Sequence, residues 1–259
     1  MFADTQILDV FIIFYFFYAF YDVIRNFFAS FKQQDQNVTQ KKDRKVTNEM
    51  LQEAMNNRKF GEFTLAPAVV FFKDGDVVPS KGYKIDKLPT SNGITPPFRL
   101  LISASAEDLL DIFDDFIALL GESCSVVVED FKTKTGDHVD YFAFYKETFV
   151  VRSILLDFED LLLNDGFVGL AIWNEMTQAE VQLTMHKIFQ VYAKNIVPFQ
   201  QALTGYGIPE NPDLRFFFED FYMLVSTQAG DSAIEELKDR LCVDYSIVQQ
   251  QGGLEAMSN

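Results

Sequence analysis

The chain is short of the residues that most site chemistry needs: two cysteines, two histidines and one tryptophan among 259 residues. Cys124 and Cys242 stand far apart with no CxxC spacing. That excludes a disulfide framework and a thiolate zinc site, and it agrees with a reducing compartment. His138 and His186 are too few for a multi-histidine metal centre and leave little for acid–base work. Cys124 sits on a hydrophobic strand beside Glu122 and Glu129, a setting that disfavours a reactive thiolate. There is no GxGxxG, Walker A loop, GxSxG elbow or HExxH helix. No residue is therefore assigned as catalytic, cofactor-binding or metal-ligating, and no cofactor or small-molecule substrate is expected.

Basic charge is scarce in the C-terminal part. Residues 99–259 carry 10 Lys and Arg against 27 Asp and Glu, whereas residues 1–98 carry 12 against 11. An acidic field repels phosphate backbones and anionic head groups, so nucleic-acid binding is not expected and a basic protein partner is favoured. Glycine and proline are also few, 13 and 8, while 48% of the chain is hydrophobic. A chain of that size and composition buries a substantial core.

Aromatic residues are plentiful, with 28 Phe, and they are concentrated at the N-terminus. Residues 10–21 form twelve consecutive apolar or aromatic positions, eight of them aromatic. Twelve helical residues span roughly 18 Å, too little for a hydrocarbon layer of about 30 Å; residues 7–28 would reach about 33 Å. The longer segment includes Asp9, Asp22 and Arg25 near its ends, where charge is cheapest, and Asp22 can pair with Arg25 at i, i+3.

The run reads as an uncleaved membrane anchor made of Val10, Phe11, Phe14, Phe17, Phe20, Tyr21, Asp22 and Arg25. No basic n-region precedes it and no small-x-small cleavage site follows. Lys32, Lys41, Lys42, Arg44 and Lys45 lie after it, which places the large C-terminal part in the cytoplasm of a single-pass membrane protein. A helix buried in a partner chain and a helix lying on the membrane surface are the competing readings.

The domain plan is an anchor over residues 1–31, a basic linker and small hairpin region over 32–97, an acidic α/β domain over 98–247 and a flexible tail over 248–259. In the second region Thr47 caps a short helix, and Asp74-Gly75 between apolar runs signals a hairpin. Residues 79–97, rich in Gly, Pro, Ser and Lys, mark a boundary.

From Phe98 onward the periodicities predict strand 98–105, a helix from the Ser105 capping box to Leu120, strands 124–131 and 138–146, a helix over 149–163 and strand 167–173. That order is βαββαβ, which matches a ferredoxin-like core. Two short strands broken near His186-Lys187, a helix near 195–203, a strand or pair of strands in 214–225 and a C-terminal helix ending at Leu241 extend it. The fold class expected is α+β.

Residues 98–105 (FRLLISAS), Leu161-Leu-Leu-Asn-Asp-Gly166 with Gly169 and Ala171, and Glu180-x-Gln182 leading to His186-Lys187 resemble an uncharacterised bacterial family of the planctomycete type. The resemblance covers less than half of the chain and implies no activity.

Three functional expectations follow. The first is a structural or adaptor subunit of a membrane assembly, holding lipid through its anchor and a protein partner through its domain. Phe216, Phe217, Phe218 and Tyr222, on a segment apolar on both sides, are the candidate partner residues. The second is an enzyme or ligand sensor using the carboxylates of Asp111, Asp114 and Asp115 with Asp157, Glu159 and Asp160. A soluble subunit whose N-terminal helix packs into a partner chain is the third.

Overall fold

The computed structural model describes residues 46–249, apart from 74, 89–95, 132–137 and 227–229. The N-terminal run with Val10, Phe11, Phe14, Phe17, Phe20, Tyr21, Asp22 and Arg25 lies outside the described residues, as does the tail after 249.

Three short elements open the chain: α1 (Asn48–Asn56), β1 (Lys59–Phe60) and β2 (Phe63–Thr64). Thr47 caps α1 as its sequence predicts, its hydroxyl accepting from the Met50 N–H at 3.2 Å. There follow β3 (Val69–Phe71), β4 (Gly82–Lys87), β5 (Phe98–Ser103), α2 (Leu109–Ala118), β6 (Ser123–Asp130), β7 (His138–Glu147), α3 (Thr148–Leu156) and α4 (Glu159–Asn164). The remainder is β8 (Val168–Asn174), β9 (Ala179–Leu183), β10 (Phe189–Ala193), α5 (Val197–Gly205), a 3-10 turn (Phe217–Glu219), β11 (Tyr222–Leu224), α6 (Gly230–Leu241) and β12 (Tyr245–Gln249).

One eight-stranded antiparallel sheet carries the fold, in the order β12-β7-β6-β8-β9-β10-β5-β4. The α+β class stands, but the ferredoxin-like strand placement does not. The second half of the expected motif is present: β7 and β8, joined through α3 and α4, flank β6 as a split βαβ unit. The first half is opened out, because β8, β9 and β10 all lie between β5 and β6. The turns from β8 to β9 and from β9 to β10 are short, and short turns force sequential strands into neighbouring positions. The β9-β10 hairpin thereby separates β5 from β8.

One face of the sheet packs on the helices. Leu100, Ile102, Val126, Val128, Leu170, Ile172, Val181 and Val191 form a single core with Ile112, Phe113, Phe116 and Ile117 of α2, Val151 of α3, Leu162 of α4, Leu203 of α5 and Leu237 of α6. The predicted apolar face of the first helix (Leu109, Phe113, Phe116, Leu120) is buried as its period requires.

Ser105 does not cap that helix. Its hydroxyl accepts from the Thr64 N–H at 3.0 Å and donates to Glu107, which ties β2 to the helix entry. The helix expected over 149–163 is broken into α3 and α4, with Asp157 and Phe158 between them.

On the opposite face, Leu101 and Ile188 meet a second core of Phe63, Leu65, Val69, Phe71, Leu214 and Phe216–Phe218. Asp74 of the expected Asp-Gly hairpin lies outside the described residues, and among the described ones β3 pairs with β11 rather than with Val77-Val78. β4, inside the expected boundary stretch, pairs with β5 along its length, so elements on both sides of residue 97 share hydrogen bonds.

Gly166, just beyond α4, is where another segment comes close to the chain. Its N–H donates to the Val225 carbonyl at 2.8 Å, and a Cβ there would lie 2.8 Å from Leu224 Cβ and 2.9 Å from the Ala68 carbonyl oxygen. β11 therefore approaches as closely as only glycine allows. Gly166→Ala is expected to destabilise the fold by about 1–3 kcal/mol in urea unfolding, as overpacking does. An unchanged midpoint would contradict that close approach.

Candidate functional site

Strand alternation sends every second side chain to the face away from the helices, and on this face the chain buries charge. Register places Glu129 of β6 opposite Asp140 of β7 on one side and Gly169 of β8 on the other. His138 shares the Asp140 face two residues earlier. Glu180 and Gln182 of β9 lie opposite Tyr192 and Gln190 of β10. Glu129, His138, Asp140, Glu180, Gln182 and Gln190 are all at most 5% exposed.

The β9-β10 turn adds Lys187, which adopts φ 57° and is 3% exposed. Its N–H donates to the Thr184 carbonyl at 2.9 Å, and its ammonium donates to the Val168 carbonyl at 2.9 Å. The left-handed backbone at the end of this turn is what folds the side chain back beneath β8.

Burial governs the protonation of this face, since removing water disfavours whichever form is charged. It pushes Glu180 up to about 7, with the Gln182 amide, which donates to its carboxylate, pulling the other way. It pushes Glu129 well above the usual carboxylate range, helped by the charges of Asp140 and Glu180 and opposed by Lys187. Lys187 itself falls to about 7 by burial, with Asp165 and Glu129 opposing. Nearby, His186 falls to about 4 through burial and then the Lys187 charge; its Nε2 lies 2.7 Å from the Tyr222 hydroxyl.

Among the described residues, Glu129, His138 and Asp140 form the cluster with metal-ligand chemistry, their ligand atoms all lying within 4.8 Å of one another. The Phe131 ring stacks on His138 with centroids 4.1 Å apart and fixes the plane of the imidazole.

The carboxylates singled out in the sequence lie on the opposite, helical side and are largely engaged. Asp114 takes a two-pronged pair from Arg152, at 2.7 and 2.5 Å, joining α2 to α3. Asp115 accepts from the Tyr206 hydroxyl at 2.8 Å, and Asp157 pairs with Arg240 of α6 at 2.7 Å. These pairs brace the helix layer. Asp111, Glu159 and Asp160 are exposed, and a small groove between α2 and α3 brings only Asp114 and Glu159 together.

Phe216, Phe217 and Phe218 are 2%, 3% and 6% exposed, inside the second core, with Tyr222 half-buried beside them. Their aromatic surface is spent largely within the chain.

A different apolar surface is open, at the end of the sheet where three connections converge. Asn174 donates to the Leu120 and Ser123 carbonyls at 2.8 and 2.6 Å and accepts from the Met176 N–H at 2.7 Å. The Thr148 N–H donates to the Glu122 carbonyl at 2.9 Å. Around these connections stand Tyr145 near the end of β7 (65% exposed), Phe149 (67%) and Val150 in the first turn of α3, Met176 (91%) in the β8-β9 turn and Leu119 just past α2. Tyr145 stands at φ 51°, a conformation a large side chain rarely adopts. Exposed Glu122, Glu147 and Glu175 lie among them.

The sequence assigns neither region a function, although Glu180-x-Gln182 and His186-Lys187 carry part of the family resemblance. Glu180 and Gln182 alternate with Val181 and Leu183, which is the pattern of a strand with one wet face. The legible signal for the other cluster is His138-x-Asp140, two ligand types on one strand face.

Comparison with protein-family models, with curated proteins and with solved structures gave no match. What is established is a mixed α+β protein built on a large antiparallel sheet.

Proposed function

We propose that this chain is a structural or adaptor subunit of a membrane assembly, a single-pass protein held by the aromatic run around Val10–Arg25, with its acidic domain on the cytoplasmic side holding a protein partner. The observation that carries the partner reading is the open apolar end of the sheet at Tyr145, Phe149 and Met176. Large aromatics held in the open at the end of a strand and the start of a helix match the anchors from which interfaces are built. The glutamates around them favour a partner that brings an apolar plug within a basic rim.

No helix among the described residues is long and apolar enough to cross a membrane, so anchoring rests on the N-terminal run. The Phe216–Phe218 segment contributes to this reading as the layer that stiffens the domain, with half-buried Tyr222 at its margin.

The test uses the full chain purified from membranes in mild detergent. The wild type is expected to resist carbonate extraction and to migrate as a multi-protein complex. Phe149→Asp with Tyr145→Ser should stay folded by circular dichroism and migrate free of its partner. A wild-type chain that washes off as a monomer, or a double variant that keeps the complex intact, overturns the proposal.

A further inference from the structure

We infer that the partner docks through a basic amphipathic helix laid along α3, packed on Phe149, Ser153 and Leu156 beside the groove that α3 forms with α2. The inference rests on the reading of Tyr145, Phe149 and Met176 as the partner surface, and it names the element that fills that surface.

Phe149, Ser153 and Leu156 stand at i, i+4 and i+7, so they share one face of α3. That face is turned to solvent: Phe149 is 67% and Leu156 54% exposed, with exposed Ser153 between them. Val151, Ile154 and Leu155 of the same helix meet the core on the other side. A surface helix usually turns polar residues outward, whereas this one holds a large apolar side chain in the open on each of two successive turns.

The contour of the face suits another helix. Two large residues about 10 Å apart along the axis, with a serine midway, make a notch with a wall at each end. Side chains repeating once per helical turn enter such notches, and the two-residue period of a strand does not match them. Beside the notch α2 and α3 run antiparallel. The Thr148 N–H donates to the Glu122 carbonyl at one end, and Leu110 of α2 lines the same groove as Leu156 and Glu159 at the other. Ile117 and Leu155 give the groove an apolar lining, and the Arg152–Asp114 pair ties its two walls.

Charge selects the occupant. α2, α3 and α4 carry five carboxylates, Asp111, Asp114, Asp115, Glu159 and Asp160, against one cation, Arg152. Asp114 takes up that cation, and Asp157, just past α3, takes up Arg240 of α6. The field over the face is therefore negative and favours Lys and Arg flanking the apolar positions of an incoming helix. A second copy of this chain would set the same acidic surface against itself across a two-fold axis, and an anionic lipid surface would be repelled.

The test keeps the full chain in the membranes of the cells that make it. Photoreactive benzoylphenylalanine replaces Phe149, Ser153 or Leu156 one at a time, and Met55 of α1, 41% exposed, serves as the background position. After irradiation the joined peptides are sequenced by mass spectrometry. The three positions are expected to join one segment of one partner protein, at residues three or four apart per step, in a stretch with more Lys and Arg than Asp and Glu. The position at 55 should not join that segment. Attachment at every second residue, in separate segments, to lipid or to another copy of this chain overturns the inference, as does the absence of any product from 153 and 156.

Leu156→Glu, whose side chain is already open to water, should stay folded by circular dichroism and lower the fraction of chain migrating in the complex at least about tenfold. A complex that survives Leu156→Glu but not Phe149→Asp with Tyr145→Ser confines the partner to the end of the sheet. That result overturns the docked helix and leaves the adaptor reading standing, whereas a wild-type chain that migrates alone removes both.

Discussion

Phe116→Ala is expected to lower the unfolding free energy by about 3–5 kcal/mol, the largest single effect anticipated for a substitution in this chain. Phe116 is fully buried and touches two other rings edge-on, Phe189 of β10 at 5.5 Å and Phe199 of α5 at 5.4 Å. Phe189 also meets Phe113 at 5.8 Å, so four rings tie α2 to α5 and to the middle of the sheet. Truncation removes the apolar contact and leaves a cavity bounded by rigid aromatic walls, which close poorly. Denaturant unfolding of both proteins measures the difference. Phe149→Ala, at a position 67% exposed, is the matched control and should fall within about 0.5 kcal/mol of the wild type. Equal losses at the two positions would mean that the core is centred elsewhere.

Glu180→Gln is expected to stabilise the protein in neutral and alkaline solution and to do little in acid. The folded chain holds the Glu180 proton up to about pH 7, whereas the unfolded chain releases it near 4.5. Between those values the folded state binds more protons, so stability falls as pH rises through the window. Above it the full cost of a buried carboxylate remains, at most about 3 kcal/mol. Glutamine keeps the shape, and its carbonyl still accepts from the Gln182 amide.

His186 titrates with the opposite sign. Its folded value near 4 lies below its ordinary 6.5, so acidification through that interval favours the unfolded chain. Tm profiles of wild type and variant from pH 4 to 8 should coincide at the acid end, separate as pH rises from about 4.5 to 7 and keep a constant gap above 7. Parallel curves would show that Glu180 is ionised throughout.

Much of the local structure was legible from period alone. Leu109, Phe113 and Phe116 are spaced for a helix and are buried on one, with Leu120 buried just past its end, and the break at His186-Lys187 is the β9-β10 turn. Placement was less legible, because an antiparallel sheet is arranged by which strands have short connections. The Phe98–Trp173 pattern carries no trace of the later hairpin that enters between its strands.

β4 escaped notice since Lys84, Asp86 and Lys87 give it the composition of a loop, as an edge strand with one partner tolerates. The buried charges were hidden for a related reason. A polar residue alternating with valine points either to water or to a covered layer, and only three-dimensional structure separates the two. The acidic helix faces drew attention by their density, yet their main work is to clasp Arg152, Tyr206 and Arg240.

The late arrival of β10 also has a kinetic side. β5 and α2 are synthesised early, but Leu101 acquires its partner Gln190 only about ninety residues downstream, after the locally closed β6-β7 and β8-β9 ribbons. Growth from the ribosome would therefore leave Leu100 and Ile102 without a strand neighbour on one flank until the chain is three-quarters made. The pairing of β4 with β5 closes the opposite flank from the outset, so the waiting segment has one open edge rather than two.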